Sequence, residues 1–222
     1  KIESKIKTPG IYMDIMGNKA TAYGFIAAAE KAGLKLFLGS YPITPATDVL
    51  HELSKHKSLG VITVQCEDEI SGCATAIGAS FAGALAVTTT SGPGVCLKSE
   101  AMNLAVITEL PLVVLDVQRG GPSTGLPTKS EQTDLLQALF GRNGESPMPV
   151  IAATSPTNCF DAAYAACKMA LEHMTPVVLL TDGFVANGSG SWKLPNLDTY
   201  PEIKPQYVTP EMKDNYTPYK RN

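Results

Sequence analysis

The stretch that most constrains the fold is residues 61–94, where two strand patterns flank a helix pattern. An apolar, β-branched run covers residues 61–64, and a second strand pattern, residues 85–90, stops at Ser91-Gly92-Pro93-Gly94. Three acidic residues separate the first run from the helix: Glu67, Asp68 and Glu69. Acids at a helix start offset the helix macrodipole. They also lie just past the carboxyl end of a strand, where α/β sheets place their chemistry.

The composition is that of a globular protein with one large α/β domain. The chain has 222 residues, 44% of them hydrophobic and 18% charged, so it can bury a substantial core. A net charge of −3 without a run of Lys or Arg gives no basis for nucleic-acid binding. No apolar stretch approaches the ~18–20 residues of a membrane span, and residues 1–10 lack a signal-peptide pattern. We therefore expect a soluble, cytoplasmic protein with no nucleic-acid or membrane partner.

The cysteines argue against a metal centre or a disulfide framework built by this chain alone. There are five: Cys66, Cys73, Cys96, Cys159 and Cys167. Their number is odd and no two are spaced as C-x-x-C, the spacing typical of zinc and iron–sulfur ligands. We therefore predict no metal site on this chain and free thiols in a reducing compartment.

Strand and helix patterns alternate along the chain. The predicted strands are residues 35–38, 61–64, 85–90, 112–117, 150–152 and 176–181. Most of them are continuous apolar runs, and this is typical of parallel strands that are covered on both faces. The sequence thus predicts an α/β fold with a doubly wound, mostly parallel sheet and helices on both faces.

The domain organisation follows from a change in character near the end of the chain. Residues 1–187 are expected to form the α/β domain, in which residues 1–17 are an arm and Asn18 caps a helix over residues 19–33. Residues 188–222 contain five prolines and four tyrosines and show little periodicity. We expect this segment to be a proline-rich linker or wrapping arm outside the core, leading to further domains.

Four loops of unusual composition follow strands and are therefore expected on one rim of the sheet. They carry Thr44 between two prolines, the acidic turn ending at Glu69, the glycine turn at residues 91–94, and Arg119 in a long glycine-rich loop. Together they offer a hydroxyl, a carboxylate, amides at a helix start and a guanidinium. Such a set suits a small anionic molecule that needs an acid–base partner.

Each of these features also has a purely structural interpretation. Thr44 can be a turn former, the glycine turn can be only a tight turn, and Arg119 can pair with a surface acid. The sequence has no P-loop and no dinucleotide fingerprint, and Asp182-Gly183 is only a fragment of a magnesium-diphosphate motif. The histidines show no spacing of a catalytic triad or metal site: His51, His56 and His173. A site on this chain is therefore expected to be incomplete alone.

Four motifs occur in order along the chain. They are Tyr41-Pro42-Ile43-Thr44-Pro45, the turn at Glu69, Thr88-Thr89-Thr90-Ser91-Gly92-Pro93-Gly94, and the loop over residues 118–128. Over about residues 15–190, the chain resembles the α subunit of 2-oxoacid:ferredoxin oxidoreductases in its pyrimidine-binding domain. The Gly-Gly-Pro-Ser-Thr-Gly-Leu-Pro-Thr segment of the last loop is most similar to the 2-oxoglutarate branch.

The resemblance implies a specific reaction and a divided active site. In this family a 2-oxoacid is decarboxylated on thiamine diphosphate, the acyl group passes to coenzyme A, and electrons leave through iron–sulfur clusters to ferredoxin. The cofactor lies between two domains, and this one contacts the aminopyrimidine. The magnesium diphosphate and a cluster belong to the β subunit, in an assembly expected to be α2β2 or larger.

The resemblance also assigns roles to residues. Glu69 matches the catalytic glutamate that exchanges a proton with the pyrimidine ring, with Glu67 as the competing candidate, and Ser91 and Gly92 match the cofactor contacts. Thr44 and Arg119 match the residues that bind the substrate carboxylate or carbonyl. Thr128 or Lys129 is expected to meet the distal carboxylate of 2-oxoglutarate. The alternatives are a different thiamine enzyme, another 2-oxoacid such as pyruvate or a branched-chain one, and an α/β assembly domain without chemistry.

Overall fold

The structure, a computed structural model, describes residues 8–217 and 219 of the chain. The strands are β1 (Tyr12–Met16), β2 (Leu36–Ser40), β3 (Val61–Gln65), β4 (Leu85–Thr90), β5 (Leu112–Gln118), β6 (Val150–Ala152), β7 (Pro176–Asp182) and β8 (Ser189–Lys193). The helices are α1 (Gly17–Ala32), α2 (Thr47–Leu53), α3 (Glu69–Phe81), α4 (Gly92–Ile107), α5 (Leu135–Phe140), α6 (Asn158–His173) and α7 (Gly183–Asn187). Short 3-10 helices cover Ser54–Leu59, Leu197–Thr199 and Pro210–Met212.

Six parallel strands form the central sheet, in the order β3-β2-β4-β5-β7-β6. Every residue of β4, β5 and β7 is buried, and this explains why these strands are continuous apolar runs in the sequence. The chain leaves β2 toward β3 and then returns to place β4 on the other side of β2, so the direction of winding changes between β2 and β4. The predicted doubly wound α/β fold is confirmed.

Helices cover both faces of the sheet. Successive residues of β5 alternate between two buried clusters, with Val113 and Leu115 in one and Leu112 and Val114 in the other. The first cluster includes α1, α2 and α6, and the second includes α3, α4 and α5. Gly24 lets α1 approach α6 closely, because a Cβ on this residue would lie 2.8 Å from the Cβ of Ala163.

Two segments predicted as arms take part in the fold. β1 pairs antiparallel with β8, so the prediction that residues 1–17 are only an arm is wrong for Tyr12–Met16. Trp192 of β8 and Ile203 belong to the same buried cluster as α1 and α6. The prediction that residues 188–222 lie outside the core is therefore wrong at these two residues. Residues 1–7 of the predicted arm over residues 1–17 lie outside the described residues.

The helix ends differ in part from the expected ones. Gly33 ends α1 in the left-handed conformation, with φ of 66°, as predicted. Asn18 is not the cap, because α1 begins at Gly17 and the Asn18 side chain is buried, where its Nδ2 donates to the carbonyl oxygen of Pro45 at 2.9 Å. This bond anchors the loop after β2 to α1.

Candidate functional site

A cleft of about 630 Å³ opens at the carboxyl ends of the strands. Each of the four predicted loops contributes to its lining, through Ile43, Glu69, Gly92 and Arg119. The cleft adjoins the point between β2 and β4 where the winding changes direction, the usual position of sites in open α/β sheets. The expected convergence of a carboxylate and a guanidinium at one mouth is therefore present.

The acidic turn is ordered by a capping box at the start of α3. The backbone N–H of Ser71 donates to Oδ1 of Asp68 at 2.8 Å, and the backbone N–H of Asp68 donates to the Ser71 hydroxyl oxygen at 3.3 Å. The bond from the Ser71 backbone, and then the one that the Ser71 hydroxyl donates to the same oxygen at 2.7 Å, lower the pKa of Asp68. With Asp68 used as the cap, Glu69 becomes the first residue of the helix and lines the cleft, whereas Glu67 is exposed and does not. The geometry thus favours Glu69 over Glu67.

The Tyr41 side chain lies close to Glu69. Its buried hydroxyl lies 2.8 Å from Oγ1 of Thr90, and burial raises the pKa of this phenol, with a further contribution in the same direction from the Glu69 carboxylate. Gly94 is required here, because a Cβ on this residue would overlap Tyr41 and Thr90 and would come within 3.0 Å of Cγ of Glu69. Gly94, the second glycine of the Ser-Gly-Pro-Gly turn, therefore leaves space for the Glu69 side chain.

Arg119 is buried and joins two of the loops. One of its terminal nitrogens donates to the carbonyl oxygen of Thr44 at 2.7 Å and the other to that of Thr124 at 3.0 Å. Its Nε is buried without a partner among the described residues. A guanidinium has five N–H donors, so three remain after these two bonds. Thr44 itself is exposed, and its position beside Arg119 is established through its backbone.

The glycine turn presents the start of α4 to the cleft, but with an acid beside it. Gly92 and Pro93 line the cleft, and a Cβ on Gly92 would lie 2.6 Å from a carboxylate oxygen of Asp134. Ser91 is fully buried, and its hydroxyl has no partner among the described residues. The turn therefore presents Gly92 and Pro93 to the cleft beside a carboxylate, whereas Ser91 is not among the lining residues.

The structure does not bring Thr128 or Lys129 into the lining of the cleft. The loop after β5 folds back on itself, because the Leu126 N–H donates to the Gly120 carbonyl and the Gly120 N–H donates to the Lys129 carbonyl. Thr128 and Lys129 are exposed, whereas Ser123 and Thr124 of the same loop line the cleft. The assignment of Thr128 to a substrate carboxylate stays a prediction.

A pair of aspartates, missed in the sequence analysis, lies at one wall of the cleft. Asp116 of β5 is fully buried, and neither of its oxygens meets an N–H or O–H donor among the described residues. Burial, and then the adjacent Asp134 carboxyl group, raise the pKa of Asp116 well above its ordinary value. Asp134 lines the cleft, and burial raises its pKa as well. A single acid within the apolar run of β5 was the available signal.

Two kinds of feature are absent from the described part of the chain. Within it, no group of three or more His, Cys, Asp or Glu side chains is arranged to hold a metal ion. None of the helices in this part has the length and apolar character needed to cross a bilayer.

The family follows from a sequence comparison. The family model described as "Pyruvate flavodoxin/ferredoxin oxidoreductase, thiamine diP-bdg" matches residues 27–221. The chain belongs to this family. The resemblance to the α subunit of 2-oxoacid:ferredoxin oxidoreductases, in the pyrimidine-binding domain, is thereby confirmed, and the family is one that binds thiamine diphosphate.

Individual members of the family are similar over most of the chain. "2-oxoglutarate oxidoreductase subunit KorA" of Mycobacterium tuberculosis is 58% identical over 96% of this chain and 32% of its own length. "2-oxoglutarate synthase subunit KorA" of Archaeoglobus fulgidus is 42% identical over 82% of this chain and 52% of its own. The chain thus spans about a third to a half of the length of these two relatives.

A solved structure of the family has the same fold. It is the 2-oxoglutarate:ferredoxin oxidoreductase from Magnetococcus marinus, with 2-oxoglutarate, coenzyme A and succinyl-CoA bound. Its TM-score to this chain is 0.85 at 37% sequence identity, over 92% of this chain and 35% of that one.

Proposed function

We propose that this chain supplies the aminopyrimidine-facing part of a thiamine diphosphate site in a 2-oxoglutarate:ferredoxin oxidoreductase. In this proposal the complete enzyme converts 2-oxoglutarate and coenzyme A to succinyl-CoA and CO2. Two electrons and one proton are released, and the electrons pass singly to two ferredoxins. The observation that carries the proposal is the placement of Glu69, Gly92 and Arg119 around one cleft at the carboxyl edge of the sheet.

The chemistry of the cleft fits an aminopyrimidine. A flat ring with a basic nitrogen needs a carboxyl group that can share a proton and apolar walls on which to rest. Glu69 offers the first, and Ile43 and Leu97 offer the second. The volume of about 630 Å³ lies within the range of ~300–1,000 Å³ that is usual for small-molecule sites.

Each residue has a defined task in this proposal. Thiamine diphosphate, when bound, supplies the carbon nucleophile and the electron sink for decarboxylation. Glu69 holds a proton at a ring nitrogen of the pyrimidine, and Ser91 and Gly92 contact the ring. Arg119 uses its remaining N–H donors to bind the substrate carboxylate, next to Thr44.

The remaining parts of the site are assigned to a partner. The sequence carries no diphosphate motif and no cysteine pattern for a cluster, so we place Mg²⁺ and the iron–sulfur cluster on a β subunit. The complete enzyme is then a heteromer, α2β2 or larger, that receives its 2-oxoacid and coenzyme A and delivers electrons to ferredoxin. Thr128 or Lys129 is proposed to meet the distal carboxylate once the loop after β5 is covered by that partner.

The test is a substrate comparison with the enzyme as it exists. The complete complex is purified, its thiamine diphosphate and iron are quantified, and coenzyme A-dependent reduction of a viologen dye is measured with several 2-oxoacids. We expect kcat/KM for 2-oxoglutarate to exceed that for pyruvate and for branched-chain 2-oxoacids by about tenfold or more, because a second carboxylate adds a charge-assisted contact.

The same comparison separates the alternatives. A preference for pyruvate or a branched-chain 2-oxoacid would keep the family chemistry and overturn the choice of substrate. A complex without thiamine diphosphate that turns over no 2-oxoacid would support an assembly domain and overturn the proposal. Lys129→Met addresses the distal carboxylate, since it is expected to raise KM for 2-oxoglutarate and leave KM for pyruvate unchanged.

A further inference from the structure

Lys98 is the one fully buried lysine in the described part of the chain, with 0% of its surface exposed. It lies in the first half of α4, on the face that packs toward α3 and the sheet. Lysine is almost never fully buried unless its ammonium group is paired. In this part of the chain no carboxylate oxygen lies within ion-pair distance of its Nζ. The burial of this charge therefore needs another explanation.

The ammonium group of Lys98 contacts three separate elements around Glu69. Its Nζ donates to the backbone carbonyl oxygen of Glu69 at 2.8 Å and to Oγ1 of Thr88 in β4 at 3.0 Å. It also lies 5.1 Å from the centre of the Tyr41 ring, within the range of a cation–π interaction. The contact with the ring is one of the charged form, and together the three contacts connect α4, the start of α3, β4 and the loop after β2.

We propose that Lys98 is a positioning residue, which holds the Glu69 backbone and the Tyr41 ring in a fixed relation and thereby directs the Glu69 carboxylate into the cleft. The inference rests on the proposed function, because it assigns Glu69 the proton transfer. Tyr41 and Gly94 confine the Glu69 side chain, and Lys98 confines its main chain. Misplacement of a reacting group by about 1 Å can reduce a rate ~10²-fold, so such a residue is expected to affect kcat.

The groups around Lys98 partly offset the effect of burial on its ammonium group. Burial lowers the pKa of Lys98, and nearby groups oppose this effect: Cys73, Glu69, Asp68 and Cys66. The ammonium group thus faces thiols and carboxyl groups from α3 and from the turn after β3, and the Tyr41 ring from the loop after β2. Burial remains the largest of these effects, and no Lys or Arg is among the groups that shift the pKa of Lys98.

The test combines Lys98→Met with Glu69→Gln in the complete complex. Met is unbranched and similar in length, so it fills the space and removes only the charge and the donors. We expect Lys98→Met to lower kcat about 10- to 100-fold, with KM and thiamine diphosphate content within threefold of the native complex. Lys35→Met, an exposed lysine before β2, is the matched control and should retain native kcat.

The double variant distinguishes positioning from a general structural role. If Lys98 acts through Glu69, Lys98→Met should cause no further loss of kcat in a Glu69→Gln complex, because both changes remove the same contribution. Additive losses would overturn the inference, as would a Lys98→Met complex with native kcat. If Lys98→Met is not recovered as a complex, Thr88→Val decides in the same way. A loss of kcat that vanishes in the Glu69→Gln background supports the inference, and native kcat overturns it.

The experiment distinguishes a failure of the inference about Lys98 from a failure of the proposed function. A native complex that turns over no 2-oxoacid contradicts the proposed function before any Lys98 variant is measured. A native complex that is active, combined with an active Lys98→Met complex, contradicts only the role of Lys98.

Discussion

Arg119 donates a hydrogen bond of 2.7 Å to the carbonyl oxygen of Thr44, although 75 positions separate the two residues in the chain. The bond closes one side of the cleft, since it ties the loop after β5 to the loop after β2. The same guanidinium reaches Thr124 within its own loop. Arg119 therefore both builds the cleft and presents its remaining donors there.

We expect Arg119→Lys to weaken substrate binding more than turnover. An ammonium group keeps the charge but lacks the planar fork that can serve two carbonyl oxygens and a carboxylate together. Loss of one charge-assisted hydrogen bond, worth about 1.5–3 kcal/mol, corresponds to an increase in KM for the 2-oxoacid of about 10- to 100-fold. Steady-state kinetics of the complete complex checks this.

Arg142→Lys is the matched control for that measurement. Arg142 also donates to backbone carbonyl oxygens, those of Ala138 and Leu139, but it does not line the cleft. Its replacement should leave KM unchanged. An Arg119→Lys enzyme with native KM would show that Arg119 only supports the loops.

Gly94→Ala and Gly78→Ala should change stability in opposite directions. A Cβ at residue 94 overlaps the Tyr41–Thr90 hydrogen bond, and overpacking of this kind costs about 1–3 kcal/mol. A Cβ at residue 78 meets nothing within 4 Å, and Gly to Ala within a helix stabilises by about 0.5–1 kcal/mol. Urea denaturation of both variants measures the two signs. A Gly94→Ala protein as stable as native would contradict the described packing.

Asp116→Asn should stabilise the fold increasingly as the pH rises. The raised pKa means that the folded state keeps a proton that the unfolded carboxyl group loses above its ordinary pKa of about 3.9. The stability of the native chain therefore falls from that pH upward, whereas the Asn side chain cannot ionise. At pH 8 we expect the variant to be more stable by at least about 1 kcal/mol, the equivalent of one unit of pKa.

Denaturation at several pH values tests this expectation. The difference between Asp116→Asn and the native chain should shrink as the pH approaches 4. Asp198→Asn, at an exposed position, should show no such trend. A Asp116→Asn variant that is less stable than native at pH 8 would show that Asp116 is ionised and satisfied in the fold.

Trp192→Ala should destabilise the domain although it lies in the segment predicted as a linker. Trp192 is only 9% exposed and its ring centre lies 5.2 Å from that of Phe160, so its removal is expected to cost about 3–5 kcal/mol. Tyr216→Ala, at an exposed position of the same segment, should stay within about 0.5 kcal/mol of native. Urea denaturation measures the free energy of unfolding of both variants. Equal stability of the two would support the prediction that the segment is a linker.

The sequence predicted the central sheet because its strands are buried on both faces and so have continuous apolar patterns. It missed β1 and β8, because their pairing joins residues as distant as Tyr12 and Lys193 and buries few side chains. Asn18 was predicted as a helix cap because asparagine is common at that position. Its actual bond, to Pro45, depends on tertiary structure that local sequence patterns do not contain.

The site was predictable as far as loop positions determine it. The carboxyl ends of parallel strands lie at one edge of the sheet, so the sequence correctly predicted that Glu69 and Arg119 lie near each other. Lys98 gave no signal, since a lysine in a helix is ordinarily solvated and its burial depends on how α4 packs. Asp116 did give one, as the single acid in a strand where every other position but the last is apolar.

The most direct measurement of the central claim compares Glu69→Gln with Glu67→Gln in the complete complex. The claim is that Glu69 shares a proton with the pyrimidine of thiamine diphosphate, and Glu67, an exposed acid two residues away, is the matched control. We predict that Glu69→Gln retains the cofactor but loses decarboxylation by a factor of order 10²–10⁴, whereas Glu67→Gln keeps native activity. Near-native decarboxylation by Glu69→Gln, or a comparable loss in Glu67→Gln, would contradict the account.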